Sequence, residues 1–198
     1  MIDRLAQNDT VTPAKLKAKD PEAISGLVEL YSDNIYRTAL KMLGNEQDAE
    51  DVLQETILKV LRSIDHFEER SSLSTWIYRI TMNEALMLLR KRKNITVSVD
   101  VENDDEVGPE KPIEIVDWCC LPENELLDDE SRGYLDEAVK RLSPALRAVF
   151  VLRDIDGLSV RETAETLDIS ESAVKTRLLR ARMQLREDLS NYFGKRIK

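Results

Sequence analysis

Residues 159–185, SVRETAETLDISESAVKTRLLRARMQL, read as a complete helix-turn-helix. Ser159 and Glu162 stand at capping-box spacing, where a hydroxyl and a carboxylate each satisfy a free N–H at a helix start. Asp168, Ile169 and Ser170 interrupt the helical period, and a second, longer helix follows. Ala164 is small where the two helices must cross closely, and Ile169 can plug the turn. Val174, Leu178, Ala181 and Leu185 recur at helical spacing as the stripe to be buried. The opposite face carries Lys175, Thr176, Leu179 and Arg180, flanked by Arg177 and Arg182. Between Glu171 and Arg186 five basic residues stand against one acidic residue. On the helix that this motif places in the DNA major groove, Lys and Arg can pair phosphates or guanine edges. Ser170 and Ser172 at its start can reach the phosphate backbone. A solvated basic face on an ordinary helical hairpin is the plainer alternative. Cap, small crossing residue and basic face coincide at the right offsets, which favours the DNA reading. Many such turns carry Gly where Asp168 stands, but Asp tolerates the left-handed conformation better than most residues.

Outward from this motif the pattern stays helical. Gly and Pro are scarce at six each in 198 residues, and 42% hydrophobic with 34% charged residues is a soluble globular composition. Apolar residues recur at helical rather than alternating spacing, so the expected fold is all-α. From Pro21 to about Lys93 the chain reads as one module of three to four helices. Its first run closes at Gly44-Asn45, and its second places Val52, Ile57, Val60, Leu61 and Ile64 on one stripe. Its third follows Ser71, Ser72 and Ser74, which can cap the helix start. Helical patterning resumes near Ser131, with Ser143 at a cap and Pro144 at a first helical position. Two small helical domains joined by an acidic linker are therefore expected. The boundaries read as an extension over 1–20, a first domain over 21–94, a linker over 95–130 and the helix-turn-helix domain over 131–198.

The net charge of −9 looks wrong for a nucleic-acid protein until it is divided along the chain. Residues 96–130 carry 13 acidic residues against one Lys, whereas residues 131–198 hold 14 basic against 10 acidic. The acidity belongs to the linker, where like charges extend a chain. No stretch approaches the length of a signal peptide's apolar core or a membrane span, so a cytoplasmic protein without membrane insertion is expected. Cys119 and Cys120 are adjacent. That spacing suits neither a disulfide framework nor a zinc site, and incidental occurrence outweighs a redox or metal-sensing role. No cofactor and no metal is expected.

Two further stretches carry a resemblance. DAEDVLQETILKV at 48–60 and FEERSSLSTWIYRITMNEALMLLRKRK at 67–93, followed by the C-terminal LSPALRAVFVLRDIDGLSVRETAETLDISESAVKTRLLRARMQLRE, resemble the extracytoplasmic-function sigma factors, a group of the sigma-70 family. The resemblance implies a subunit without catalytic activity that binds core RNA polymerase through its β and β′ subunits. It implies recognition and melting of the promoter −10 element by the first domain, reading of the −35 element by the second, and control by an anti-sigma factor. Carried onto this chain, it makes Asp48, Asp51, Gln54, Glu55 and Leu58 the polymerase-docking residues. Phe67, Trp76, Tyr78, Arg79, Asn83 and Arg90 become the −10 residues, and Ser172, Lys175, Thr176, Arg177, Leu179 and Arg180 the −35 residues.

The residues suit those tasks. Asp48, Asp51 and Glu55 share one helix face at i, i+3 and i+7 and can meet basic groups. A plain solvated face or a metal site are the other readings of those carboxylates. Trp76, Tyr78 and Asn83 beside an exposed loop offer stacking faces and an amide to an unstacked base, and Arg79 and Arg90 can track phosphates. A core position is the competing reading of Trp76. Two rival functions remain at this stage: a stand-alone helix-turn-helix regulator binding palindromic DNA without polymerase, and a metal-dependent enzyme built on the acidic helix.

Overall fold

The computed structural model describes residues 10–96 and 129–196, all of it helix and turn without a strand. The acidic segment between them, with Cys119 and Cys120, lies outside the described residues. In the N-terminal half, α1 spans Pro13–Lys17, α2 Pro21–Leu43, α3 Glu46–Ser63 and α4 Leu73–Thr96, with a 3-10 turn at Ile64–His66 before the loop into α4. In the C-terminal half, α5 spans Asp129–Arg141, α6 Pro144–Phe150, α7 Val160–Leu167 and α8 Glu171–Arg196. A π-helical turn, Val151–Ile155, extends α6.

Helix boundaries follow local chemistry. Asp20 caps α2 with Pro21 at its first position, Asn45 caps α3, and Ser143 caps α6 ahead of Pro144. The α4 start is held by Ser72, whose Oγ accepts from the Thr75 N–H at 3.1 Å. Gly44 ends α2 in the left-handed region at φ 68°. A Cβ at Gly44 would lie 2.6 Å from Cε of Lys140, a flexible side chain that can move aside, so it is the left-handed turn that requires glycine there.

Three buried clusters hold these helices. The first packs α2, α3 and α4 around Leu27, Ile35, Val60, Ile64 and Ile77, and Val11 and Leu16 join it from the N-terminal segment. The second joins α5, α6, α7 and α8 through Leu142, Val149, Ala164, Val174, Leu178 and Leu185. The third lies between the two halves. Met42, Val52, Tyr78 and Met82 meet Ala148, Val151, Leu152 and Leu158, and Ala39, Ala49 and Ala85 leave room for the approach. The sequence suggests two modules on a tether, whereas the structure closes them onto a shared core. The C-terminal helices rest on α2 and α4.

Polar contacts surround that core. The Arg147 guanidinium, 7% exposed, donates to the carbonyls of Met42 at the end of α2 and of Lys140 and Leu142 at the end of α5. Lys41 pairs with Asp136, Thr38 donates to Asp156 at 2.8 Å, and Arg79 Nε donates to the Glu165 carbonyl at 3.0 Å. Carbonyls at helix ends have no intrahelical partner, so the Arg147 fork satisfies groups that burial would otherwise strand.

Candidate nucleic-acid and docking surfaces

In the C-terminal half the motif is built as its residues require. Ser159 Oγ accepts from the Glu162 N–H at 3.1 Å, and the Glu162 carboxylate accepts from the Ser159 N–H at 2.7 Å, closing the capping box of α7. Asp168 takes the left-handed conformation, φ 55° and ψ 48°, and turns the chain toward α8. Ser170 caps α8, its Oγ accepting from the Ala173 N–H at 3.1 Å. Val174, Leu178, Ala181 and Leu185 are buried against α6 and α7. Ser172, Lys175, Thr176 and Arg180 stand exposed on the opposite face, with Arg177 and Leu179 half-buried at its edges. Arg182 leaves this set, because its guanidinium forks onto the Asp154 carboxylate at 2.8 and 2.7 Å.

The left-handed turn gives a first prediction. Replacing Asp168 by glycine removes a Cβ from a conformation that disfavours it, while giving back part of the gain through a more flexible unfolded chain. The expected result is a net stabilisation of about 0.5 kcal/mol in urea denaturation of the whole chain. A loss of stability instead would mean that the Asp168 side chain contributes more than its backbone strain removes.

In the N-terminal half the six residues assigned to the −10 element fall into three environments. Trp76, Arg79, Asn83 and Arg90 share one face of α4 by helical spacing, with Trp76 half-buried and the other three exposed. Phe67 is buried and packs its ring 4.9 Å from that of Trp76, at 34°, so it braces the exposed loop 68–72 from below. Lys17 donates to the Phe67 carbonyl at 2.9 Å and ties the same corner to α1. Tyr78 points the other way, 6% exposed in the shared core. Burial first, and then the charge of Asp156, push its hydroxyl above the usual tyrosine range. The closed arrangement also engages Arg79, through the Glu165 carbonyl of α7. Periodicity marked Tyr78 as aromatic and Arg79 as basic, but it could not say that a second domain covers them.

The five docking residues on α3 divide as well. Asp51 and Gln54 are exposed, Glu55 is half-exposed and Leu58 is 44% exposed. With Glu84 and Met87 of α4 they line a groove of about 450 Å³ between the helices. Asp48 stands apart, with a side chain 14% exposed and a carboxylate paired to Arg92 at the far end of α4. It secures α3 to α4. Sequence reading missed Met87, an exposed apolar side chain facing Leu58 across the groove, and the Glu84 carboxylate that accepts from Lys59 at 2.6 Å. The signal was there, since Glu84, Met87 and Lys91 recur at i, i+3 and i+7, but it lay on a helix read for DNA contact.

Among the described residues no three His, Cys, Asp or Glu side chains gather as a metal site, and no helix is long and apolar enough to cross a membrane.

Both halves match known family models. Residues 27–95 match Sigma-70 region 2, and residues 132–185 match Sigma-70, region 4. The chain is 35% identical over 175 residues to the ECF RNA polymerase sigma factor SigW of Bacillus subtilis, covering 88% of this chain and 93% of that protein. It is 30% identical over 179 residues to the ECF RNA polymerase sigma-E factor of Escherichia coli, covering 88% and 90%. Among solved structures it is similar to the sigma factor RpoE in complex with the anti-sigma factor NepR from Bartonella quintana. That match has 25% identity and a TM-score of 0.61 over 84% of this chain and 96% of that one. The fold is also that of CnrH in complex with the cytosolic domain of CnrY, at 23% identity and a TM-score of 0.66 over 92% and 97%. The chain belongs to the extracytoplasmic-function sigma factors of bacterial RNA polymerase.

Proposed function

We propose that this sigma factor binds core RNA polymerase through the groove between α3 and α4 and directs it to promoters read at two elements. The exposed face of α8, with Ser172, Lys175, Thr176 and Arg180, reads the −35 duplex, and Arg177 and Leu179 border it. The face of α4 with Trp76, Asn83 and Arg90, beside the loop 68–72, captures the unstacked −10 strand once Arg79 and Tyr78 are released. The observation that carries this reading is the pairing of a fully built helix-turn-helix with a separate aromatic and basic face on α4. A duplex reader needs the first, and a strand-capturing protein needs the second. The protein makes and breaks no bond. Binding energy and base capture open the promoter. It acts in the cytoplasm, where an anti-sigma factor holds it, as NepR holds the similar RpoE.

The test is run-off transcription on a genomic fragment library with core polymerase from a related bacterium, with and without this protein. Discrete new start sites are expected only in its presence. Lys175→Ala with Arg180→Ala should reduce the starts that depend on a −35 element by on the order of 30-fold, in keeping with roughly 1–3 kcal/mol per base contact. Tight binding to duplex DNA by the protein alone, with no new starts, would sink this reading and favour a stand-alone regulator.

A further inference from the structure

The corner that carries the loop 68–72 is built in part from chain that precedes the region 2 match, which begins at residue 27. With five residues, α1 is too short to stand as a helix in water, so it exists through what it packs against. Thr12 caps it, its Oγ1 accepting from the Lys15 N–H at 3.3 Å, and Pro13 fills the first position. Lys19, in the left-handed region at φ 55°, closes its other end: the Lys19 N–H donates to the Leu16 carbonyl and the Asp20 N–H to the Lys15 carbonyl. Leu16, 1% exposed, and Val11 enter the same buried cluster as Ile64, Phe67 and Ile77. Val11 approaches α2 so closely that a Cβ at Gly26 would lie 2.9 Å from its Cγ2.

From that seat Lys17 reaches a residue 50 positions away. Half-buried, its Nζ donates to the Phe67 carbonyl at 2.9 Å. Phe67 is the last residue before the loop, with φ −71° and ψ 111°. Its ψ sets the direction in which Glu68 leaves, and a carbonyl oxygen held by a charged donor fixes that angle. Its ring is already seated against Trp76. The far end of the loop is held too, by Ser72 at the cap of α4. Between these ends the loop does little to hold itself. Glu68 and Arg70 pair at 2.6 Å, but both are exposed, and such a pair adds little rigidity. Glu69 nevertheless takes a φ of 58°, a conformation that a non-glycine residue keeps only where its surroundings impose it.

We propose that α1 is a brace for −10 strand capture and Lys17 its positioning residue, which sets the course of the loop 68–72 beside Trp76 and Asn83 by fixing the Phe67 carbonyl. The proposal rests on the reading of α4 given above. A loop ordered before the base arrives loses less freedom when it captures one, so the brace raises both affinity and selectivity for that base. Lys17 acts through Phe67, because its ammonium is engaged by the carbonyl.

The test uses the whole chain, first without DNA and then in the holoenzyme. Trp118→Phe leaves Trp76, packed on Phe67, as the single tryptophan. In that background Lys17→Met, which keeps the length of the stem and removes the donor, should make Trp76 more accessible to acrylamide quenching, and Lys17→Arg should restore the wild-type value. Holoenzyme is then assayed on a promoter recovered from the run-off library, with each −10 base substituted in turn. Lys17→Met should lose about tenfold of the preference for the captured base, the level of one hydrogen bond from a charged donor. Lys17→Arg should retain most of it, and dependence on the −35 element and affinity for core polymerase should not change. An equal loss of transcription at every base is what mere destabilisation would give, and it overturns the brace, as does undiminished base preference in Lys17→Met. A wild type with no −10 base preference would sink the strand-capture reading instead. Quenching then decides alone, and a Trp76 no more accessible in Lys17→Met than in wild type overturns the brace.

Discussion

Arg147→Ala is expected to lower the stability of the chain by about 3 kcal/mol, because each buried carbonyl left without a donor costs roughly 1–3 kcal/mol. The guanidinium reaches the Met42 carbonyl from one half and the Lys140 and Leu142 carbonyls from the other, and at 7% exposure water does not readily replace it. Burial lowers its affinity for the proton, yet an arginine stays charged at neutral pH, so the fork is a charge-assisted one. For a chain of this size the loss corresponds to a drop in Tm of roughly 6–12 °C. Arg147→Lys should recover only a fraction, since one ammonium cannot span three carbonyls held in a fixed fan. Circular dichroism during thermal and urea unfolding of the two variants measures both effects. A change below about 0.5 kcal/mol for Arg147→Ala, the level of an ordinary surface substitution, would mean that the halves do not close on each other as described.

Arg147 also shows where sequence reading stops. The helix-turn-helix was legible because all its determinants are local: a capping box, a small crossing residue, a turn and a stripe lie within one short segment. The basic face of α8 was legible for the same reason, apart from Arg182, whose partner Asp154 lies outside the motif. Helical period assigns a residue to a buried stripe without naming what buries it. Tyr78 reads as a stacking face for an unstacked base, yet with Met82 and Ala85 it is buried in the core that includes Leu152 and Leu158 across the boundary. The stretch VFVLRDIDG reads as one apolar run into a turn, and nothing in it announces a π-helical turn that delivers Val151 and Leu152 to a second domain. Asp48 fails for a related reason. It shares a face with Asp51 and Glu55 in sequence, but the end of α4 comes close enough for Arg92 to claim it. Contacts of long sequence separation decided the fate of each of these residues.

Leu58→Arg is expected to weaken binding to core polymerase by at least about 30-fold, the level of a hot-spot residue worth roughly 2 kcal/mol. The argument begins from exposure. Leu58 is 44% exposed and Met87 41%, and both line a groove with Asp51, Glu55, Lys91 and the Lys59–Glu84 ion pair. Two exposed apolar side chains in a groove of mixed charge suit an amphipathic helical partner whose apolar stripe covers them. An arginine at Leu58 would put a charge into the contact and remove the apolar anchor, while leaving the fold within about 0.5 kcal/mol of wild type, because Leu58 is exposed. Asp51→Asn should act differently, slowing association and reducing its salt dependence, since a rim charge steers encounter more than it holds the complex. Asp48→Asn separates the two roles: it breaks the Arg92 pair and should reduce stability by about 1 kcal/mol or less, with a smaller effect on affinity than Leu58→Arg. Fluorescence anisotropy of the labelled full chain titrated with core polymerase at two salt concentrations measures all three. An affinity of Leu58→Arg within twofold of wild type would exclude the groove as the docking surface and return Asp51, Gln54 and Glu55 to a solvated face.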